Sequence, residues 1–133
     1  MKVEEKSLQS IISAFPNFTY KNGKKFAYAP PKTIVIGPPE PRSDLLLLHE
    51  LSHAILKHKS FKMDAERLRI ESEAWNKAKE LAFSLSIPFD EDFAESKLDS
   101  YRDWLHQKSL CKSCGLTRFQ AKNGKYYCPR CDL

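Results

Sequence analysis

Nowhere in the 133 residues do eighteen apolar residues run together, so the sequence predicts no membrane-spanning helix and no membrane partner. The opening stretch, Met1-Lys2-Val3-Glu4-Glu5-Lys6, also lacks the apolar segment of an export signal. Together these absences make a soluble cytoplasmic protein the expectation. Cysteine is missing from the first 110 positions, and all four occur after them as two Cys-x-x-Cys pairs. Without an export signal, such pairs predict metal binding and not disulfides. Repeats, low-complexity tracts and flexible linkers are absent too. The net charge of +5 and the pI near 9.0 permit an acidic or nucleic-acid partner without demanding one. What is present is apolar material: 41% of residues are hydrophobic, enough for one domain, or a small domain with an appendage, to bury a core.

The organising stretch is His49-Glu50-Leu51-Ser52-His53. Histidines four residues apart on a helix project from one face, so both imidazoles can hold the same ion. The glutamate beside the first can hold a water against it, which is the H-E-x-x-H arrangement of zinc hydrolases. Pro38, Pro39 and Pro41 stop any earlier helix, and Ser43 or Asp44 is placed to cap this one. Leu47, Leu48, Leu51 and Ile55 form one apolar side, while Leu45, Leu46 and Leu56 lie beside the histidines. A helix over about 44–57 that is apolar nearly all round is predicted to be buried. Buried histidines and a buried glutamate need partners, and a metal supplies them.

Around it, Leu8, Ile11, Ile12 and Phe15 recur at helical spacing. Residues 18–28 read as a hairpin turned at Asn22-Gly23. Thr33-Ile34-Val35-Ile36 is another strand, read either as an edge on which an extended peptide can pair or as a strand with no ligand. A long helix is predicted from about Asp64 to Ser86, stopped by Pro88, and a last one from about Asp90 to His106. The acidic residues Asp90, Glu91, Asp92 and Glu95 crowd the start of the last helix, where its dipole favours them.

A catalytic zinc takes three protein ligands and leaves a fourth position open. The long helix offers two carboxylates close together. Glu71 falls about 40° from Trp75, inside the apolar face, whereas Glu73 lies about 160° away on the polar side. A charge in the middle of an apolar face needs a strong partner, so Glu71 is the predicted third ligand. A buried salt bridge is the alternative for it, and Glu73 is the reserve ligand. His58 lies five residues past His53, too far round the helix to reach the ion unless the helix has ended, and is expected at the core edge or in solvent.

The run His49-Glu50-Leu51-Ser52-His53-Ala54-Ile55-Leu56, followed by Glu71-Ser72-Glu73-Ala74-Trp75, resembles the ImmA/IrrE-like zinc metallopeptidases over roughly residues 33–88. The resemblance implies a gluzincin in which His49 and His53 bind zinc, Glu50 is the general base, and Glu71 of the Glu-x-x-Ala pattern completes the site. Many gluzincins carry an aspartate four residues after the ligand glutamate to orient a zinc histidine. Trp75 stands there in this chain, leaving Asp44 or Asn76 as candidate substitutes. The expected activity is hydrolysis of a peptide bond in a specific protein partner; no oxyanion donor is assigned, His58, Tyr101 and His106 being candidates whose commoner role is structural.

Cys111-Lys112-Ser113-Cys114, thirteen residues, and Cys128-Pro129-Arg130-Cys131 form a four-cysteine zinc-ribbon pattern around a second Asn-Gly turn, Asn123-Gly124. A unit this short requires its metal to fold. Lys112, Arg118, Lys122, Lys125 and Arg130, interleaved with Phe119, Tyr126 and Tyr127, suit either a nucleic-acid or protein contact or a solvated cap. The expected architecture is α+β. A small N-terminal sheet packs on a helical zincin core (1–108), a zinc ribbon follows (109–133), and two zinc ions are held, one catalytic and one structural. The rival readings are an adaptor with a non-catalytic zinc site and a SprT-like DNA-associated protease.

Overall fold

The computed structural model describes residues 2–132, with side chains from residue 8 onward. Its elements run α1 (Lys2–Ala14), β1 (Thr19–Asn22), β2 (Ala27–Ala29), β3 (Thr33–Ile36), α2 (Ser43–Ile55), α3 (Asp64–Ser84), α4 (Glu91–Ser109), β4 (Phe119–Gln120) and β5 (Tyr126–Tyr127). The fold is mixed α and β, with sheets of three and two strands. No helix among the described residues is long and apolar enough to cross a membrane.

The three-stranded sheet corrects the hairpin expectation. Its order is β1-β3-β2, with β3 parallel to β1 and antiparallel to β2. The polar strand Thr19-Tyr20-Lys21-Asn22 is mostly exposed, whereas Ile34 at the heart of β3 is fully buried. The most apolar strand takes the centre, where both its edges are paired. Gly23 continues the ladder, its N–H donating to the Ile36 carbonyl at 2.9 Å. A Cβ there would collide with Val35, so glycine allows the close approach. With β3 in the middle, it has no free edge for a peptide. That expectation is withdrawn.

α2 is the hub. Leu45, Leu47, Leu48 and Leu51 are fully buried, packed with Ile11 of α1, Ile34 of β3, Trp75, Ala78 and Ala82 of α3, and Ala94 and Leu98 of α4. Each such leucine contributes about 1.5–3 kcal/mol relative to exposure. Ala74, Ala78 and Ala82 recur every four residues on α3 and are buried, so its backbone comes close to α2. That closeness lets the short side chain of Glu71 reach across. Leu56, expected beside the histidines, is instead exposed beyond the helix end.

The capping expectation also changes. The residue ahead of α2 is Arg42, in the left-handed region at φ 64°, with no side-chain cap. Ser43 bonds back to Glu40, and Asp44 only to the adjacent Leu45 N–H. Arg42 instead pairs with Asp90 at 3.0 Å, and Asp90 caps α4 by accepting from the Phe93 N–H, which ties the starts of two helices together.

Candidate metal centre

One turn of α2 supplies His49 and His53, and Glu71 comes from the facing turn of α3. His49 Nε2 lies 2.9 Å from Glu71 Oε1, His53 Nε2 lies 3.2 Å from Glu71 Oε2, and the two Nε2 atoms are 3.1 Å apart. Zinc bonds to nitrogen and oxygen of about 2.0–2.2 Å, arranged tetrahedrally, separate ligand atoms by about 3.3–3.5 Å. The donor set therefore fits one ion after a slight opening. Glu73 is not in the group: it points to the surface side of α3, as its helical position predicts.

The electrostatics suit a cation. Burial holds His49 below its ordinary pKa, outweighing its hydrogen bond with Glu71, so the ring is neutral as a metal ligand must be. Burial would raise Glu71, but its close contacts with His49 and His53 outweigh it and hold the carboxyl down to about 2. Glu50 is different. Burial pushes it up to about 7, against the pull of His53 and Lys25, and the charge of Glu71 adds to the rise. His49 Nδ1 is buried with no hydrogen-bond partner among the described residues, and Trp75 is stacked against the ring.

Two clefts open on either side of Glu50 and Glu71. One, about 310 Å³, is bounded by Tyr28, Pro30, His53, His58, Phe61 and Arg67. The other, about 280 Å³, is bounded by Leu46, His49, Trp75, Lys97 and Tyr101. An extended chain laid across the pair of carboxylates would have a recess on each side. Of the oxyanion candidates, Tyr101 lines the second cleft and His58 the first, while His106 is exposed and lines neither.

The sequence reading missed the role of His58. α2 ends at Ile55, and Lys57 takes the left-handed conformation at φ 57°. The Lys57 N–H bonds to the Ala54 carbonyl and the His58 N–H to the His53 carbonyl, a reversal that folds His58 back onto the helix end. His58 Nδ1 then sits 2.9 Å from His53 Nδ1, and its Nε2 sits 3.0 Å from Glu73 Oε1. Its side chain is only 12% exposed, so the expectation of a core-edge histidine holds and that of a solvated one does not. Neither proposed substitute for the missing aspartate serves, since Asn76 is exposed and Asp44 is engaged with the backbone.

The four cysteines form a second donor group. Cys111 and Cys131 sulfurs are 3.9 Å apart, those of Cys114 and Cys128 are 3.5 Å apart, and none is in a disulfide. Zinc–sulfur bonds of about 2.3 Å to a tetrahedral centre give about 3.8 Å. Backbone N–H groups of Cys114 and Ser113 draw the Cys111 thiol down to about 7, while thiol neighbours Cys114 and Cys128 push Cys131 up to about 12. Four sulfurs this close ionise together only around a cation. The predicted hairpin is present here: β4 pairs with β5, and Gly124 turns it at φ 86°.

This unit is fastened to α3. Tyr126 donates to the Asp64 carboxylate at 2.7 Å, Lys108 pairs with it at 2.9 Å, and the Asp64 N–H donates to Gln120 at 2.6 Å. Arg118 lies over the Tyr126 ring and donates to the Lys108 carbonyl. Two residues of the expected docking face are thus turned inward. No family model, curated protein or solved structure matches the chain.

Proposed function

We propose that the chain is a zinc metallopeptidase that hydrolyses a peptide bond in a protein or peptide substrate. The observation that carries this reading is the convergence of His49 Nε2, His53 Nε2 and Glu71 on one point, in a cleft wall that also holds Glu50. A zinc ion held there supplies Lewis acidity, polarising a carbonyl and lowering the pKa of a water towards neutrality. Glu50 takes the proton of the attacking water and passes it to the leaving amine as the carbon–nitrogen bond breaks. Burial raises the Tyr101 phenol above its ordinary pKa, with Glu71 adding to the rise, so it stays a hydrogen-bond donor and is the residue assigned to steady the developing oxyanion. The closed cysteine site offers no open position and is read as structural. The clefts are small, which supports a narrow choice of substrate. The ribbon's inward-turned Tyr126 and Arg118 support a cap that braces the enzyme over a nucleic-acid adaptor.

The test uses wild type and Glu50→Gln, each with metal content measured, incubated with a proteome-derived peptide library and read by mass spectrometry. Two zinc ions in both, with new termini only in the wild type, is the expected result. Cleavage that persists in Glu50→Gln, or tight salt-dependent DNA binding without cleavage, would overturn the reading.

A further inference from the structure

The geometry points to a three-residue relay, Glu73–His58–His53, that fixes the orientation and tautomer of one metal ligand from outside the metal shell. This inference rests on the metal-centre reading and deepens it. Glu73 only accepts, so with both rings neutral His58 Nε2 carries the hydrogen across their 3.0 Å contact. His58 Nδ1 is then an acceptor, and His53 Nδ1, 2.9 Å away, must be the donor. The proton on Nδ1 leaves a lone pair on His53 Nε2. That lone pair faces Glu71 Oε2 at 3.2 Å and His49 Nε2 at 3.1 Å. Lone pairs facing a carboxylate oxygen at that distance repel unless a cation lies among them.

The outer end is anchored as well. Glu73 Oε2 accepts from Arg69 at 2.7 Å, one turn earlier on α3, so both carboxylate oxygens are engaged. The chain of contacts spans the two elements that supply the ligands, and the backbone reinforces it through the His58 N–H on the His53 carbonyl. A ligating histidine whose second nitrogen is held this way binds more tightly, and losing such a partner costs about tenfold to a hundredfold in metal affinity. His49 has no such support among the described residues, none of which hydrogen-bonds its Nδ1. His53 therefore carries the preorganisation of the site, and His58 and Glu73 are positioning residues.

The experiment titrates zinc into the metal-stripped full-length chain against a fluorescent chelator, which resolves the two sites, and repeats this with His58→Phe, Glu73→Ala and Glu73→Gln. Cobalt substitution reports ligand geometry at the helix site by its visible absorption. Expected are a tenfold to hundredfold weaker helix site in His58→Phe with an altered cobalt spectrum, a smaller loss in Glu73→Ala, and near-complete rescue in Glu73→Gln, whose amide oxygen still accepts from His58. The cysteine site should be unchanged in all three. Glu73 is on the surface of α3, so its replacement leaves the core intact. Wild-type affinity and spectrum in Glu73→Ala and His58→Phe, or equal weakening of both sites, overturns the relay. A wild type whose only zinc is lost with Cys111→Ser, and is unaffected by His49→Ala, overturns the metal-centre reading itself.

Discussion

Trp75 lies against His49 with ring centroids 4.3 Å apart and planes 26° from parallel. It stands one turn beyond Glu71 on α3, so the same helix supplies both a candidate ligand and the wall that confines another. Because His49 Nδ1 has no hydrogen-bond partner among the described residues, confinement by this stack is what orients the ring. Such a stack is worth about 0.5–1.5 kcal/mol beyond the area it buries. Trp75→Ala should destabilise the protein by about 3–5 kcal/mol and weaken zinc at the helix site. Trp75→Phe should keep a flat face on His49 and hold most of the affinity. Denaturant melts alongside zinc titrations check both, and an undiminished helix site in Trp75→Ala would refute the stacking role.

Glu50, the proposed general base, carries a stability cost. Its pKa rises from about 4.5 to about 7 because the cleft disfavours its charge. A carboxyl whose folded value is raised binds its proton more tightly in the folded state than in the unfolded state. Stability therefore falls as pH climbs from about 4.5 to about 7, and the full penalty is present above that window. At about 1.4 kcal/mol per unit this is at most about 3.5 kcal/mol, an upper bound because the cleft is open to water. Metal-stripped Glu50→Gln should therefore be more stable than metal-stripped wild type at pH 8 and indistinguishable near pH 4.5. Urea melts at the two pH values read this difference, and a gain of the same size at both would sink the electrostatic explanation.

Legibility in the sequence followed the range of the physics. The paired histidines and the four cysteines were readable because their spacing alone brings donors together. Glu71 was readable because a charge on an apolar helical face is conspicuous. His58 was not, because its place depends on Lys57 adopting a left-handed conformation that no glycine announces. Two Asn-Gly pairs make the same point. Asn123-Gly124 turns a hairpin whose strands have no competitor, whereas Asn22-Gly23 is overruled by β3, which inserts between the two expected partners. Local turn chemistry is visible in the chain, but competition among strands is decided by which one is most apolar once the sheet is assembled.

The Lys57 turn is itself testable. A lysine at φ 57° is strained by roughly 1 kcal/mol relative to glycine, which pays no Cβ penalty there. Lys57→Gly should leave His58 in place and raise stability by a few tenths of a kcal/mol up to about 1 kcal/mol. Lys57→Val, β-branched and poorly suited to that region, should unseat His58 and reproduce the zinc-affinity loss expected for His58→Phe. Crystal structures or zinc titrations of the pair would decide, and equal helix-site affinity in the valine variant would show that His58 is not held by this turn.

The hold of the cysteine unit on α3 predicts communication between the two candidate metal sites. Asp64 is the first residue of α3, and Glu71 follows two turns later along the same rigid helix. Burial would raise the Asp64 pKa, but the Tyr126 and Lys108 contacts outweigh it and hold the carboxyl below its ordinary range. An ionised group is thus kept nearly out of water by partners, one of which belongs to the cysteine unit. Removing Tyr126 oxygen in Tyr126→Phe leaves the carboxylate one donor short, at a cost of about 1–2 kcal/mol. Emptying the cysteine site through Cys131→Ser, whose side chain lies at the surface, should release Gln120 and Tyr126 together, because a unit this small folds only around its metal. Amide hydrogen exchange should then accelerate over residues 64–68, and zinc at the helix site should weaken several-fold without being lost. Tyr126→Phe should give a smaller change of the same sign. Unaltered exchange over those residues in Cys131→Ser would mean that α3 stands without the cysteine unit, and the brace would have no part in shaping the site.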